Sequence, residues 1–131
     1  MGKAWVTILC AALVAACSST TKDVRSGSAW EDAKPGIYPA SAEAIRREVR
    51  LFFNERKFQI TDESETLIQA YRAGRDVAEQ NIEMHVRIEP GPTEGTTRVL
   101  AVSGRSAGME WFGSTMHDRL HDHLRSVYPP R

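Results

Sequence analysis

The chain has 131 residues, with 17 basic and 17 acidic side chains and no net charge. That length bounds it to one domain with a modest core. The charge balance excludes a general attraction to nucleic acid or acidic lipid, and no phosphate-binding loop, dinucleotide fingerprint or aromatic–basic interleaving is present.

The first stretch carries a basic residue, Lys3, an apolar segment from Ala4 to Leu13, and small residues at Ala15 and Ala16. This is the layout of a secretory signal. The apolar segment falls short of the roughly 20 residues that span a bilayer, so residues 1–16 are read as a signal peptide outside the fold. Leu13-Val14-Ala15-Ala16-Cys17 resembles the lipobox of bacterial lipoproteins. The resemblance implies a diacylglyceryl group on the Cys17 thiol, cleavage just before it and acylation of the new amine. The alternative is an ordinary signal peptide, or an uncleaved anchor, with a chance cysteine. Cys10 follows Leu9, too large for the cut, inside the apolar segment. Each buried CH₂ contributes ~0.8 kcal/mol, so several chains on one cysteine hold effectively permanently. A lipidated Cys17 leaves no thiol for a disulfide or a cysteine metal site. The next residue, Ser18, is similar to the outer-membrane address of lipoproteins in two-membrane bacteria, which implies a periplasm-facing location.

Residues 17–40 read as the lipidated cysteine and a flexible tether, Ser/Thr-rich at first and then broken by Lys34-Pro35-Gly36 and Tyr38-Pro39. Trp30, Ile37 and Tyr38 are large enough to pin part of this arm to the domain. A single domain is expected over residues 41–128, with a tail at 129–131.

Ser41 opens the first helix as a cap, with Glu43 at its positive end. Ile45, Val49, Phe52 and Phe53 form its apolar stripe. Arg46, Arg47 and Arg50 fall off that stripe and read as a solvated face, with contact to anionic headgroups as the sharper alternative. Four strands come next: Phe58–Thr61, Thr66–Arg72, Ile82–Glu89 and Thr96–Ser103. The third alternates Ile82, Met84, Val86 and Ile88 with Glu83, His85, Arg87 and Glu89, which predicts an antiparallel sheet with one wet face. Short loops between consecutive strands predict a meander. Met109, Phe112, Met116, Leu120, Leu124 and Val127 fall within about 120° on a helix, so a second helix is expected from Met109 to Val127. The fold class is therefore α+β, a four-stranded antiparallel meander with both helices on one face. This layout, and most closely Ala44 to Arg72, resembles the helix-grip domains of bacterial envelope lipoproteins such as the BamC component of the outer-membrane assembly machinery.

Three features are candidates for chemistry or binding. Gly104-Arg105-Ser106-Ala107-Gly108 matches G-x-S-x-G between a predicted strand and a predicted helix, as a nucleophile elbow would. Only the adjoining helix offers partners, however, and it cannot fold back to place a histidine on Ser106. A glycine-flanked loop is the plain alternative. His117 and His121 lie one turn apart and could chelate a metal, whereas His123 lies about 160° from His121 and joins the apolar stripe. A solvated or pH-responsive histidine patch is the alternative there. Leu67, Tyr71, Leu100 and Val102 are expected on the sheet face away from the helices, where exposed apolar area can mark a partner site. Cover by the Trp30–Tyr38 arm is the competing expectation. The expected role is non-catalytic, without a cofactor: a lipid-anchored accessory subunit of an envelope assembly. The alternatives are a metal- or small-ligand-binding lipoprotein and, more remotely, a serine hydrolase at Ser106.

Overall fold

A computed structural model describes Val24 and residues 27–74, 80–107 and 110–130. The expected signal segment, Cys17, the first part of the tether, Met109 and Arg131 lie outside the described residues. The elements in order are α1 (Gly27–Glu31), β1 (Gly36–Tyr38), α2 (Ala42–Glu55), β2 (Gln59–Glu63), β3 (Leu67–Arg72), β4 (Asn81–Pro90), β5 (Thr97–Ala107), β6 (Glu110–Gly113) and α3 (Met116–Val127). The fold is α+β around one antiparallel sheet.

Local chemistry sets the limits of α2. Ser41 Oγ accepts the Ala44 N–H at 3.2 Å, filling one of the free donors of the first turn. At the other end Lys57 takes a left-handed backbone, φ 65°. The Phe58 N–H then reaches the Phe53 carbonyl at 2.9 Å and the Lys57 N–H reaches Asn54 at 3.3 Å. These are the paired bonds of a Schellman ending. Its usual apolar contact is made by the Phe53 and Phe58 rings, 5.4 Å apart. A pair of phenylalanines thus both stops the helix and turns the chain into β2.

Strands β2 to β5 pair in sequence order, each antiparallel to the next. Thr61 is an extra residue in β2, a bulge that bends this edge strand. One sheet face presents Ile68, Ala70, Ile82, Met84, Val86, Ile88, Val99 and Ala101, all buried. Against it lie Ile45, Val49, Phe52 and Phe53 of α2 and Met116, Leu120 and Leu124 of α3, in one continuous core.

Several expectations are corrected. Among the described residues the sheet has six strands rather than four, because β1 and β6 both pair with the outer side of β5. The last helix begins at Met116 rather than Met109. Glu110–Gly113 instead pairs with Gly104–Ala107, a stretch whose adjacent aromatic residues suit a strand and whose glycine ill suits a helix. The face opposite the helices is not simply wet. His85 is 5 % exposed, and Leu100 and Val102 are buried. Of the stretch expected as tether, Val24 and residues 27–38 lie on the domain, more than the pinning expected at Trp30, Ile37 and Tyr38: α1 packs on β5, and Arg87 stacks over the Trp30 ring at 4.3 Å. Among the described residues no helix is long and apolar enough to cross a membrane.

Candidate functional site

The outer edge of β5 is paired in two places. β1 covers Thr97 to Val99 and β6 covers Gly104 to Ala107. Between them, residues 100–103 leave a notch, and the arm fills much of it. A cavity of about 160 Å³ remains there, walled by Val24, Ala29 and Ala33 of the arm, Ala101 and Val102 of β5, and Gly113. Its polar residues are Asp32, Ser103, Ser114 and His117. Ligand pockets for drug-sized molecules run to about 300–1,000 Å³, so this one holds only a small group.

Ser103 stands at the centre of the notch. Its hydroxyl accepts the backbone N–H of His117 at 3.2 Å, and lies 2.8 Å from His117 Nδ1 and 3.2 Å from the Ser114 carbonyl. Thr115, at the N-cap position of α3, makes no side-chain cap bond. Ser114 Oγ accepts from Met116 N at 3.2 Å instead. The helix start is therefore capped by a serine from a distant strand. A serine beside an imidazole is the beginning of a nucleophilic pair. Asp118, 3.5 Å from His117 Nε2, is 69 % exposed. Attack by Ser103 would release the cap it provides, and the contacts of the hydroxyl describe a structural hub. The sequence signal for it was present. Ser103 is the polar interruption of a register in which Val99 and Ala101 face the core.

Ser106 does not sit on an elbow. It lies within β5, opposite Asn81 on one side and Trp111 on the other. The strand continues past Ser106 to Ala107 because Gly104 to Ser106 are held in ladders on both sides.

The two candidate metal ligands have separate partners. His121 is 7 % exposed, and its Nδ1 lies 2.5 Å from the Tyr38 hydroxyl. Burial foremost, then the nearby Arg125 and His117 charges, hold its pKa below the ordinary 6.5. Burial likewise pushes the Tyr38 phenol up to about 12. Both groups are thus neutral, and the tyrosine O–H donates to Nδ1. The imidazole proton then sits on Nε2, which is buried without a hydrogen-bond partner. His117 turns to Ser103. His123 bonds Glu48 across the helix pair at 3.1 Å and tilts on Phe52. His85 bonds Glu83 at 3.0 Å. Among the described residues no three metal-ligating side chains converge.

The arginines of α2 line an open groove of about 600 Å³ with Glu43 and Glu65. Arg50 pairs with Glu63 at 2.6 Å and Arg46 donates to the Glu65 carbonyl, so two of the three already serve the β2–β3 turn. On the far sheet face, Leu67 and Tyr71 are half-buried, and Arg87 and Glu83 of β4 lie between them and Leu100 and Gly104. The chain matches no family model and no curated protein.

Proposed function

We propose that this is a lipid-anchored envelope domain, acylated at Cys17, that serves as a non-catalytic binding or accessory subunit on the periplasmic side of an outer membrane. The reading is carried by Leu13–Cys17 and by how soon the domain begins after it. A lipobox-like sequence is succeeded, seven positions later, by a buried Val24 belonging to the domain. A cleaved soluble protein has no need of a cysteine at that boundary. The histidines support a non-catalytic role, because each is bonded within the fold. Metal binding through His117 and His121 is the weaker reading. It would have to displace Ser103 and Tyr38, and His121 Nε2 is closed to solvent.

Partner contact falls to Leu67 and Tyr71, since Leu100 and Val102 are buried beneath the arm's side of the sheet. The test is in-cell crosslinking of the full-length chain, read by mass spectrometry beside Cys17→Ser and a Leu67→Ser/Tyr71→Ser variant. The expected result is a defined envelope partner, lost in both variants, with acyl mass present only where Cys17 is kept. An unacylated wild-type chain would remove the anchor. Unchanged capture by the sheet variant would remove that surface. Zinc added to the soluble domain should release no binding heat.

A further inference from the structure

We infer that the end of the sheet bearing Phe112 and Arg105 rests on the phospholipid bilayer that holds the anchor. This inference depends on the reading of Cys17 as acylated, and adds to it a face and a partner.

Chain length limits how far the domain can stand from its anchor. Val24 is 2 % exposed and lines the β5 notch together with Val102 and Gly113. Cys17 precedes it by seven positions. Seven fully extended residues reach at most about 25 Å. A tether free to residue 40 would have let the domain tumble far from the membrane. A tether that ends at Val24 holds the notch, and whatever borders it, close to the headgroups.

An exposed aromatic residue borders the notch. Phe112 is 40 % exposed and directly precedes Gly113. It pairs across the ladder with Arg105, which is also exposed. Side chains paired in register project from the same face of a sheet. An aromatic ring beside an arginine suits the membrane interface. The ring sits at headgroup level, the arginine stem runs along the apolar boundary, and its guanidinium meets phosphate in a charge-assisted bond. Among the described residues, the other large exposed apolar side chains lie elsewhere: Leu51 on α2, Val127 at the end of α3, and Ile37 of β1, opposite Arg98 of β5. The turn between β4 and β5, with Glu94 exposed, lies roughly 30 Å along the strands from Phe112. It points away from the bilayer in this orientation.

The experiment uses the full-length protein, expressed in cells and reconstituted into phosphatidylethanolamine–phosphatidylglycerol vesicles. Single variants Phe112→Cys, Arg105→Cys and Glu94→Cys each carry an environment-sensitive fluorophore, Cys17 being blocked by its lipid. Intact mass is measured first. The expected result is strong loss of fluorescence at positions 112 and 105 with brominated lipids, and no loss at 94. Equal, water-like signals at all three positions on an acylated protein would overturn the orientation and leave the anchor standing. Quenching at 94 alone would overturn it too. A chain without acyl mass would overturn the anchor, and the orientation with it.

Discussion

Gly36 occupies a place where a side chain has no room. A Cβ there would lie 2.4 Å from the Tyr38 hydroxyl and 2.7 Å from His121 Nδ1. The glycine lets β1 come close enough to α3 for the tyrosine and the histidine to meet. Gly36→Ala should lower stability by about 1–3 kcal/mol, the usual range for overpacking, seen as a lower urea midpoint. Tyr38→Phe removes the donor and leaves Nδ1 buried and unpaired. The expected loss is about 1–3 kcal/mol. His121 also gives stability a pH dependence. Its folded pKa lies below the ordinary 6.5, chiefly through burial, so the unfolded chain takes up a proton before the folded one does. Its contribution is therefore complete above 6.5 and is lost as pH falls from there toward the folded value. Urea midpoints should decline with acid across that window in the wild type, and less steeply in His121→Gln.

At the scale of elements, α2 and α3 are started by different means. α2 carries its own cap in Ser41, three residues from the N–H it serves. α3 borrows Ser103 from the neighbouring strand. A local cap contributes about 1 kcal/mol. Ser103→Ala should cost more than Ser41→Ala, because the same hydroxyl also meets His117 Nδ1 and the Ser114 carbonyl. Hydrogen exchange at the start of α3 should quicken in Ser103→Ala, with α2 unaffected. If the two variants proved equal in midpoint and exchange pattern, the hub role of Ser103 would be refuted.

For the whole molecule, the arm is part of the domain. Tyr38 is buried in the core, Val24 closes the notch, and Trp30 lies under Arg87. Arg–aromatic stacking of that kind contributes about 0.5–1 kcal/mol at an exposed site, and losing a fully buried aromatic side chain costs about 3–5 kcal/mol. A soluble chain beginning at Ala40 should therefore be less stable than one beginning at Ser18 by about 3 kcal/mol or more. A truly flexible tether would give equal midpoints. The comparison needs only two denaturation curves, and it bears directly on how far an anchor at Cys17, as proposed, would let the domain stand from a membrane.

The amino-acid sequence alone determined what depends on neighbours along the chain. The apolar stripe of α2, its cap, and the alternation of β4 were legible because helical and strand periods repeat within a few residues. The four-strand meander came from short loops. The lipobox-like Leu13–Cys17 is likewise a local pattern, and its reading rests on sequence. The tertiary structure decided what depends on partners far away. Glu110–Gly113 carries apolar residues that fit a helix stripe, yet it becomes a strand because Gly104–Ala107 offers an open ladder. The arm looked like tether because three residues of β1 show no period. They are ordered by an unpaired stretch of β5 sixty residues on, and by a histidine on the last helix. The same distance explains the site residues. His117 and His121 share a helix face in sequence, but Ser103 and Tyr38 claim one each. Hydrogen bonds are satisfied by whichever group the fold brings within reach, and sequence separation says nothing of that.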